Sequence, residues 1–346
     1  MQTIVKQVVG VDVAQKELVV CLGRMDSDLS VELYAYQVFG NTAQGMNSLI
    51  NWVKQRTDAS VSLRFVMEAT GVYHESLAYF LNEQGYHQTI VLPSKINHYA
   101  QTLAVKTVTD KTASQAITRF GLERQLTDWV PPTPAYKKLR QLTRERDQVV
   151  QLRTMAKNHI HAEKAEAQPD EQSLRRMKQQ IDLFNQQEKE IKAQIKELVK
   201  QQEKIKNEIA IITSITGIGE LTAVTILGET NGFELISNKK QLASYAGLDV
   251  KEKQSGTSVK GKPRISKKGN RYLRKAMHLP ALAAIRSDER FKAIFTRLVG
   301  KHGIKMKAAV AVQRKLLELV YTLHKNSSKY NPEYLKKLEN SNGAVL

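Results

Sequence analysis

Residues 8–20 read VVGVDVAQKELVV, and Asp12 stands in the middle of that apolar run. Valines on both sides predict a strand buried on both faces. A carboxylate inside such a strand loses hydration and needs a cation or a hydrogen-bond donor. The alternative is a strand that bends at Gly10 and ends where Asp12 begins a turn.

Working outward, IVKQVVGVDV, LVVCLGR and VELYAYQVFG read as three neighbouring strands. Met46, Leu49, Ile50 and Val53 recur at helical spacing. LRFVMEATG is a fourth strand, HESLAYFLNEQGY a helix stopped near Gly85, and QTIVLPS a fifth strand. Residues 97–124 are mainly helical in pattern. The order predicts an α/β layer design for residues 1–130. Glu68 repeats the situation of Asp12, one acid in an apolar strand, and Asp110 lies near the start of a predicted helix. Two acids from neighbouring strands and one from a later helix can converge on a divalent cation, for which oxygen ligands such as these suit Mg²⁺.

WVPPTP, residues 129–134, marks a boundary because its prolines cannot continue a helix. A basic helical stretch follows, over about 136–166, then a break at Gln168, Pro169 and Asp170. From Leu174 to Ile212 apolar residues keep an unbroken 3-4 spacing, interrupted in character at Glu188 and Gln202. This predicts a coiled coil over 131–213, closed either as an antiparallel hairpin or by pairing between subunits. SITGIGELTAVTILGET has the pattern of a helix-hairpin-helix. Gly217 and Gly219 would let backbone amides approach a phosphate, or would simply make a turn. Nearly continuous helix is expected from 279 to 324, and 327–346 is a tail.

The chain has 346 residues and a formal net charge of +19, an excess that points to a polyanionic partner. The excess clusters. Between 251 and 278, Lys251, Lys253, Lys260, Lys262, Arg264, Lys267, Lys268, Arg271, Arg274 and Lys275 face only Glu252. Glycine, serine and threonine interleave with these cations, which suits a loop wrapping a sugar-phosphate backbone. The single cysteine, Cys21, excludes an intramolecular disulfide and a thiolate metal cluster. No run has the length of a membrane span, and Asp12 comes too early for a signal peptide. A cytoplasmic protein without a membrane partner is expected.

GVDVA, MEATGVY, KTVTDKTASQAITRFG, SITGIG, QLASYAGLDV, QSGTS and ISKKGNRYLRKAM occur in this order. Together they resemble the bacterial insertion-sequence transposases with a RuvC-like acidic domain and a C-terminal serine-bearing domain, the bridge-RNA-guided recombinases, over about residues 5–325. The resemblance implies an RNase H-like (RuvC-like) N-terminal domain, a coiled-coil dimerisation segment, and a mainly α-helical transposase domain over 214–326. It implies a site of four carboxylates binding Mg²⁺ (or Mn²⁺). Asp12, Glu68 and Asp110 match three of them, and the fourth falls on Ala113, which cannot bind metal. Three acids with water, or a hydroxyl or water from Ser114, would then complete the set.

Composition does not rank Ser255, Ser258 and Ser266 as nucleophile; the resemblance selects Ser255. An unassisted hydroxyl needs a base or a metal, so a composite site joining serine and acids makes chemical sense. The resemblance also implies donor and target DNA, a structured non-coding guide RNA, a dimer assembling to a tetramer, and a nucleoid-associated place in the cell. A metal-only junction nuclease and a non-catalytic nucleic-acid-binding protein are the other readings.

Overall fold

The computed structural model describes residues 3–69, 71–103, 107, 109–234, 236–252, 254–255, 259–261 and 263–333. The chain divides into two compact units, Met1–Pro131 and Pro132–Leu346.

The first unit contains β1 (Ile4–Val13), β2 (Glu17–Asp26), β3 (Val31–Gly40), α1 (Ala43–Lys54), β4 (Leu63–Glu68), α2 (Glu75–Glu83), β5 (His87–Val91), α3 (Pro93–Ala100) and α4 (Asp110–Glu123). The sheet order is β3-β2-β1-β4-β5. The first three strands form an antiparallel meander, while β4 joins β1, and β5 joins β4, in parallel. A mixed sheet in this order, covered by helices, is consistent with the expected RNase H-like domain. β1 lies at its centre, which explains its continuous apolar run. Val9, Val11 and Val13 pack with Leu49 and Leu77 on one face, and Val8 packs with Val66, Ile117 and Leu122 on the other.

Gly10 is not a bend, because β1 runs through it to Val13. Its role is close approach. A Cβ at Gly10 would lie 2.2 Å from Thr118 Oγ1 and 2.8 Å from the Ser114 carbonyl, so glycine lets α4 close directly onto the strand. Gly121 does the same against Val8 and Val66. With 121 over 8 and 114–118 over 10, α4 runs opposite to β1 and brings its N-terminus toward Asp12.

The second unit contains α5 (Pro134–Lys164), α6 (Glu171–Lys200), α7 (Glu203–Thr213), α8 (Glu220–Thr230) and α9 (Lys239–Tyr245). Four two-residue strands follow: β6 (Val250–Lys251), β7 (Gln254–Ser255), β8 (Val259–Lys260) and β9 (Arg264–Ile265). Then come α10 (Arg271–Ala276), α11 (His278–Ser287), α12 (Glu289–His302) and α13 (Lys305–Lys325). Pro134 occupies the first turn of α5, where its missing N–H is no loss. Asp170 caps α6 by accepting from the Gln172 and Ser173 amides, so the break at 168–170 restarts a helix.

α5 and α6 fold back on each other as an antiparallel hairpin within the chain. Arg153 bonds Asn185 at 2.9 Å and Arg146 bonds Glu188 at 2.7 Å, so rising numbers on one helix meet falling numbers on the other. Two expectations are corrected here. The 174–212 helix is not continuous, since α6 ends at Lys200 and α7 starts at Glu203, after the exposed Gln202. Nor is 131–213 a separate segment, since Leu139, Ile195, Ile212, Leu227 and Leu316 share one core. The helix expected over 279–324 is three helices. Asp288 starts α12 by accepting from the Arg290 and Phe291 amides, and Gly303 ends it in the left-handed conformation at φ 69°.

Candidate acidic catalytic site and the serine-bearing ribbon

Asp12 and Glu68 lie on adjacent parallel strands, each one step beyond the paired Val11 and Met67. Residues in register on parallel neighbours point to the same face. That face is the one carrying Val8, Gly10 and Val66, which α4 covers. Asp110 is the first residue of α4, and Thr109 caps the helix in a reciprocal capping box with Thr112. Local capping therefore fixes where α4 begins, and packing on Gly10 fixes which end of the sheet it begins over.

Asp12 senses the other two acids. Asp12 is half-buried, and its carboxyl is pushed up to about 6, first by burial, then by the charges of Asp110 and Glu68; a bond from the Val13 amide works the other way. Such like-charged acids on one face are the donor set that a hard divalent cation relieves. Among the described residues the side chains do not close into a set of three at ligand distances. Ala113 occupies the expected fourth position, half-buried on α4. Ser114 is fully buried, and its hydroxyl donates to the Lys111 carbonyl at 2.8 Å, so its proton is already committed.

In the second unit the described residues between 250 and 265 pair as a narrow ribbon. Val250 and Lys251 pair with Ile265 and Arg264; further out, Gln254 and Ser255 pair with Lys260 and Val259. Ser255 and Lys260 are thus placed, by their backbone, on opposite edges of its outer end. Ser258 and Lys262 lie outside the described residues. Ser266 stands at the ribbon's base, where its hydroxyl donates to the Asp249 carboxylate and its amide to the Asp249 carbonyl at 2.8 Å. Arg264, Lys267, Lys268 and Arg271 are exposed. Arg274 is half-buried and donates to the Ala246 carbonyl at 2.8 Å, which ties α10 to the end of α9.

The two hairpin glycines have different roles. Gly217, at φ 93°, faces α11, and a Cβ there would lie 2.9 Å from the Pro280 carbonyl oxygen. Packing therefore accounts for it. Gly219 caps α8 with open space around it. It leaves the start of that helix accessible.

Sequence reading missed the node around Glu229. This side chain is fully buried, accepts two 2.7 Å bonds from Arg144 and a 2.6 Å bond from Asn270 Nδ2. Asn270 in turn caps α10 through the Leu273 amide. Glu229 and Arg144 are 85 residues apart, so only an acid inside the apolar stretch TILGET hinted at it.

The sequence profile of a DEDD transposase family of the IS110 type matches residues 9–163, and that of the family described as "Transposase IS116/IS110/IS902 family" matches residues 209–296. The chain belongs to the IS110 family of insertion-sequence transposases. This transposase is 26% identical over 319 residues to the pilin gene-inverting protein of Moraxella bovis, covering 92% of this chain and 95% of that one. It is equally similar, 26% over 322 residues, to the protein of the same name from Moraxella lacunata, covering 92% and 95%. An insertion element IS110 protein of 43.6 kDa from Streptomyces coelicolor is 28% identical over 120 residues, 35% of this chain and 29% of that one. T. thermophilus RuvC, solved in complex with a Holliday junction substrate, aligns with 36% of this chain and 99% of its own at 9% identity and a TM-score of 0.26, which adds nothing to the assignment.

The transposase is therefore a DNA transposase/recombinase, and the matched profile over residues 9–163 includes Asp12, Glu68 and Asp110. That assignment suggests divalent-metal dependence. Among the described residues, no helix is long and apolar enough to cross a membrane.

Proposed function

We propose that this transposase is an RNA-guided recombinase that cuts and rejoins DNA through a phosphoserine on Ser255, with Asp12, Glu68 and Asp110 holding Mg²⁺ (or Mn²⁺). The observation that carries the reading is the placement of Asp12 and Glu68 on one face of the adjacent strands β1 and β4, with Asp110 at the start of the helix that covers that face. Such a set is costly to maintain unless a cation is to bind it. When bound, the metal would supply Lewis acidity to the phosphodiester and lower the pKa of an attacking hydroxyl.

The serine hydroxyl gives up its proton and its oxygen attacks the phosphorus, the phosphodiester P–O bond breaks, and the leaving oxygen takes up a proton to become the released strand's hydroxyl. The ester conserves the energy of the broken bond, so the reverse attack by a new strand's hydroxyl rejoins DNA without an external energy source. A serine at the end of a narrow ribbon suits this task, because two strands present little bulk to a duplex. Lys267, Lys268 and Arg271 would hold the backbone near the ribbon's base, with Arg264 and Lys260 along it, and Lys262 is proposed from the sequence to join them. The open start of α8 at Gly219 is a further place for a phosphate.

The name of the Moraxella relatives describes inversion of a gene, and inversion, excision and insertion all need this cut, hold and rejoin chemistry. Base pairing with a guide would supply sequence choice while the protein reads backbone shape. Exposed Leu152, Met155 and Leu183 on the α5–α6 hairpin support self-association, as dimers assembling to tetramers. We place the protein in the cytoplasm, at the nucleoid.

The test is a covalent adduct. Incubated with element-end DNA, guide RNA and Mg²⁺, the wild-type protein is expected to give a protein–DNA band, and mass spectrometry a nucleotide remnant on the peptide containing Ser255. Ser255→Ala should bind nucleic acid and form no adduct. An adduct that survives in Ser255→Ala discards this residue, and cleavage without any adduct discards the phosphoserine in favour of metal-only hydrolysis.

A further inference from the structure

We infer that a cavity of about 680 Å³ in the second unit, walled by α5, α8, α10 and α11, takes one unpaired nucleotide of the DNA substrate. The inference rests on the reading that the basic C-terminal segment grips DNA, and it names a site that the segment alone did not suggest. Part of its wall, including Arg144 and Arg146, comes from α5, which sequence reading assigned to a coiled coil.

The cavity combines two chemistries. Its cations are Arg144 and Arg146 from α5, and Lys267, Arg271, Arg274 and Lys275 from the segment that follows the ribbon. Its acids are Asp147 and Glu229, so positive charge exceeds negative by four. The acids are already engaged, Glu229 with Arg144 and Asp147 with Lys275. Both pairings hold cations in place at the rim, since the Arg144 side chain remains 40% exposed and that of Lys275 57%. The Arg144 and Arg271 guanidiniums lie 4.6 and 4.9 Å from the Tyr272 ring centre, and Arg271 also donates to the Tyr272 hydroxyl. The lining also carries apolar side chains, Val150, Leu221, Ile265 and Val310. At the lip Leu279, 73% exposed, adds an apolar surface.

Neither half of this arrangement is explained by duplex backbone alone. Phosphates need charge and no apolar floor. A duplex is read by protein elements that protrude into its grooves, whereas this feature is concave and receives something that protrudes from the nucleic acid. The volume falls within the roughly 300–1,000 Å³ range of small-ligand pockets. The group that is anionic at one end, planar and weakly polar at the other, and able to leave a DNA strand is a nucleotide swung out of the stack. Strand exchange necessarily creates unpaired nucleotides, and a cavity of this kind would hold one while partners change.

The experiment uses the full-length protein and two DNA duplexes of one sequence, one fully paired and one carrying a single bulged 2-aminopurine. Base stacking on protein surfaces is worth about 1–3 kcal/mol, so the bulged duplex is expected to bind about tenfold more tightly. Its 2-aminopurine fluorescence should rise on binding as the base leaves the stack. Thr222→Trp fills the cavity from α8 without removing a cation, and Leu279→Glu places a negative charge at the exposed lip without touching the core. Either variant should bring the two affinities within about twofold of each other and leave paired-duplex binding near wild type.

Equal affinities of the wild type for the two duplexes would overturn the site, as would a tenfold preference that persists in Leu279→Glu. A preference shown for bulged RNA and absent for bulged DNA would overturn the choice of DNA. Failure of the wild type to bind even the paired duplex would instead overturn the DNA-gripping reading beneath it.

Discussion

Asp12 on β1 and Glu188 on α6 are both acids set among apolar residues, and their protonation is pushed in opposite directions. Asp12 is raised to about 6 because burial and two neighbouring acids, Asp110 and Glu68, disfavour its charge. Glu188 is 5% exposed, and burial pushes it up as well, but bonds from Lys192, Arg146 and Arg153 outweigh that and take it down to about 2. One acid is surrounded by its own kind, the other by cations that the chain itself supplies. The difference separates a carboxylate built to meet something from outside from one whose work is finished inside the fold.

The largest expected effect lies in the chemistry. Asp12→Asn and Glu68→Gln should each lower DNA cleavage by at least about 1,000-fold while circular dichroism and nucleic-acid binding stay near wild type. Glu188→Gln should leave cleavage within about threefold. If Glu188→Gln were as damaging to cleavage as Asp12→Asn, the comparison would break.

Stability should show the reverse order. Glu188→Gln removes a buried charge from three partly exposed cations and should cost about 2–3 kcal/mol in denaturant unfolding. A depressed folded-state value means that the stabilisation is present above the ordinary glutamate range and lost as pH falls toward 2. The gap between wild type and variant should therefore close in acid. A pH-independent gap would assign the loss to packing instead.

Asp12 should behave with the opposite sign. Its folded value lies above its unfolded one, so the fold is favoured below about pH 4 and loses that advantage as pH rises through 6. In chelator at pH 8, Asp12→Asn should stabilise the protein by about 1–2 kcal/mol, a figure reduced for partial exposure to solvent. Added Mg²⁺ should stabilise the wild type and not the variant. No gain in chelator would mean that the three acids are farther from equilibrium repulsion than their placement indicates.

Ala113→Asp sharpens the same contrast from another side. A fourth acid should lower the divalent-ion concentration for half-maximal cleavage by a few-fold and reduce stability in chelator by about 1 kcal/mol or less. Metal titration of the cleavage rate would show it, and an unchanged midpoint would mean that position 113 does not reach the site. The smallest effect concerns the exposed cations. Neutralising Lys267, Lys268 and Arg271 together should flatten the log–log salt dependence of DNA binding by roughly 0.7–0.9 per lost phosphate contact. Fluorescence anisotropy across a salt series would measure the slope.

The path from sequence to site was uneven for physical reasons. Asp12 and Glu68 were legible because a charge inside an apolar strand violates a local pattern visible within a few residues. Asp110 was legible as the start of a helix, and its capping box was there in Thr109 and Thr112. The restart at Asp288 was also local, in Ser287, Asp288 and Glu289, yet apolar spacing alone read through it. The stop at Gln201 and Gln202 was harder, because the 3-4 spacing continues across it and only packing decides that α7 turns away to join the shared core.

By itself, then, the sequence determined the five strands of the first unit and most helix starts, since alternation, helical spacing and caps act over a few residues, while the short strands β6 to β9 lay in a stretch read as a loop. It also determined which acids and cations violate those patterns, and so which were candidates for chemistry. Only the tertiary structure decided that α5 and α6 close on each other around Glu188, that Gly10 exists to admit α4, that Ser266 is tied to Asp249, and that Arg144 on α5 joins Glu229 on α8 at the wall of a cavity. Each of these depends on residues from 17 to more than 100 positions apart. No local pattern encodes such a pairing, because it exists only once burial has removed water and left charged groups no partner but one another.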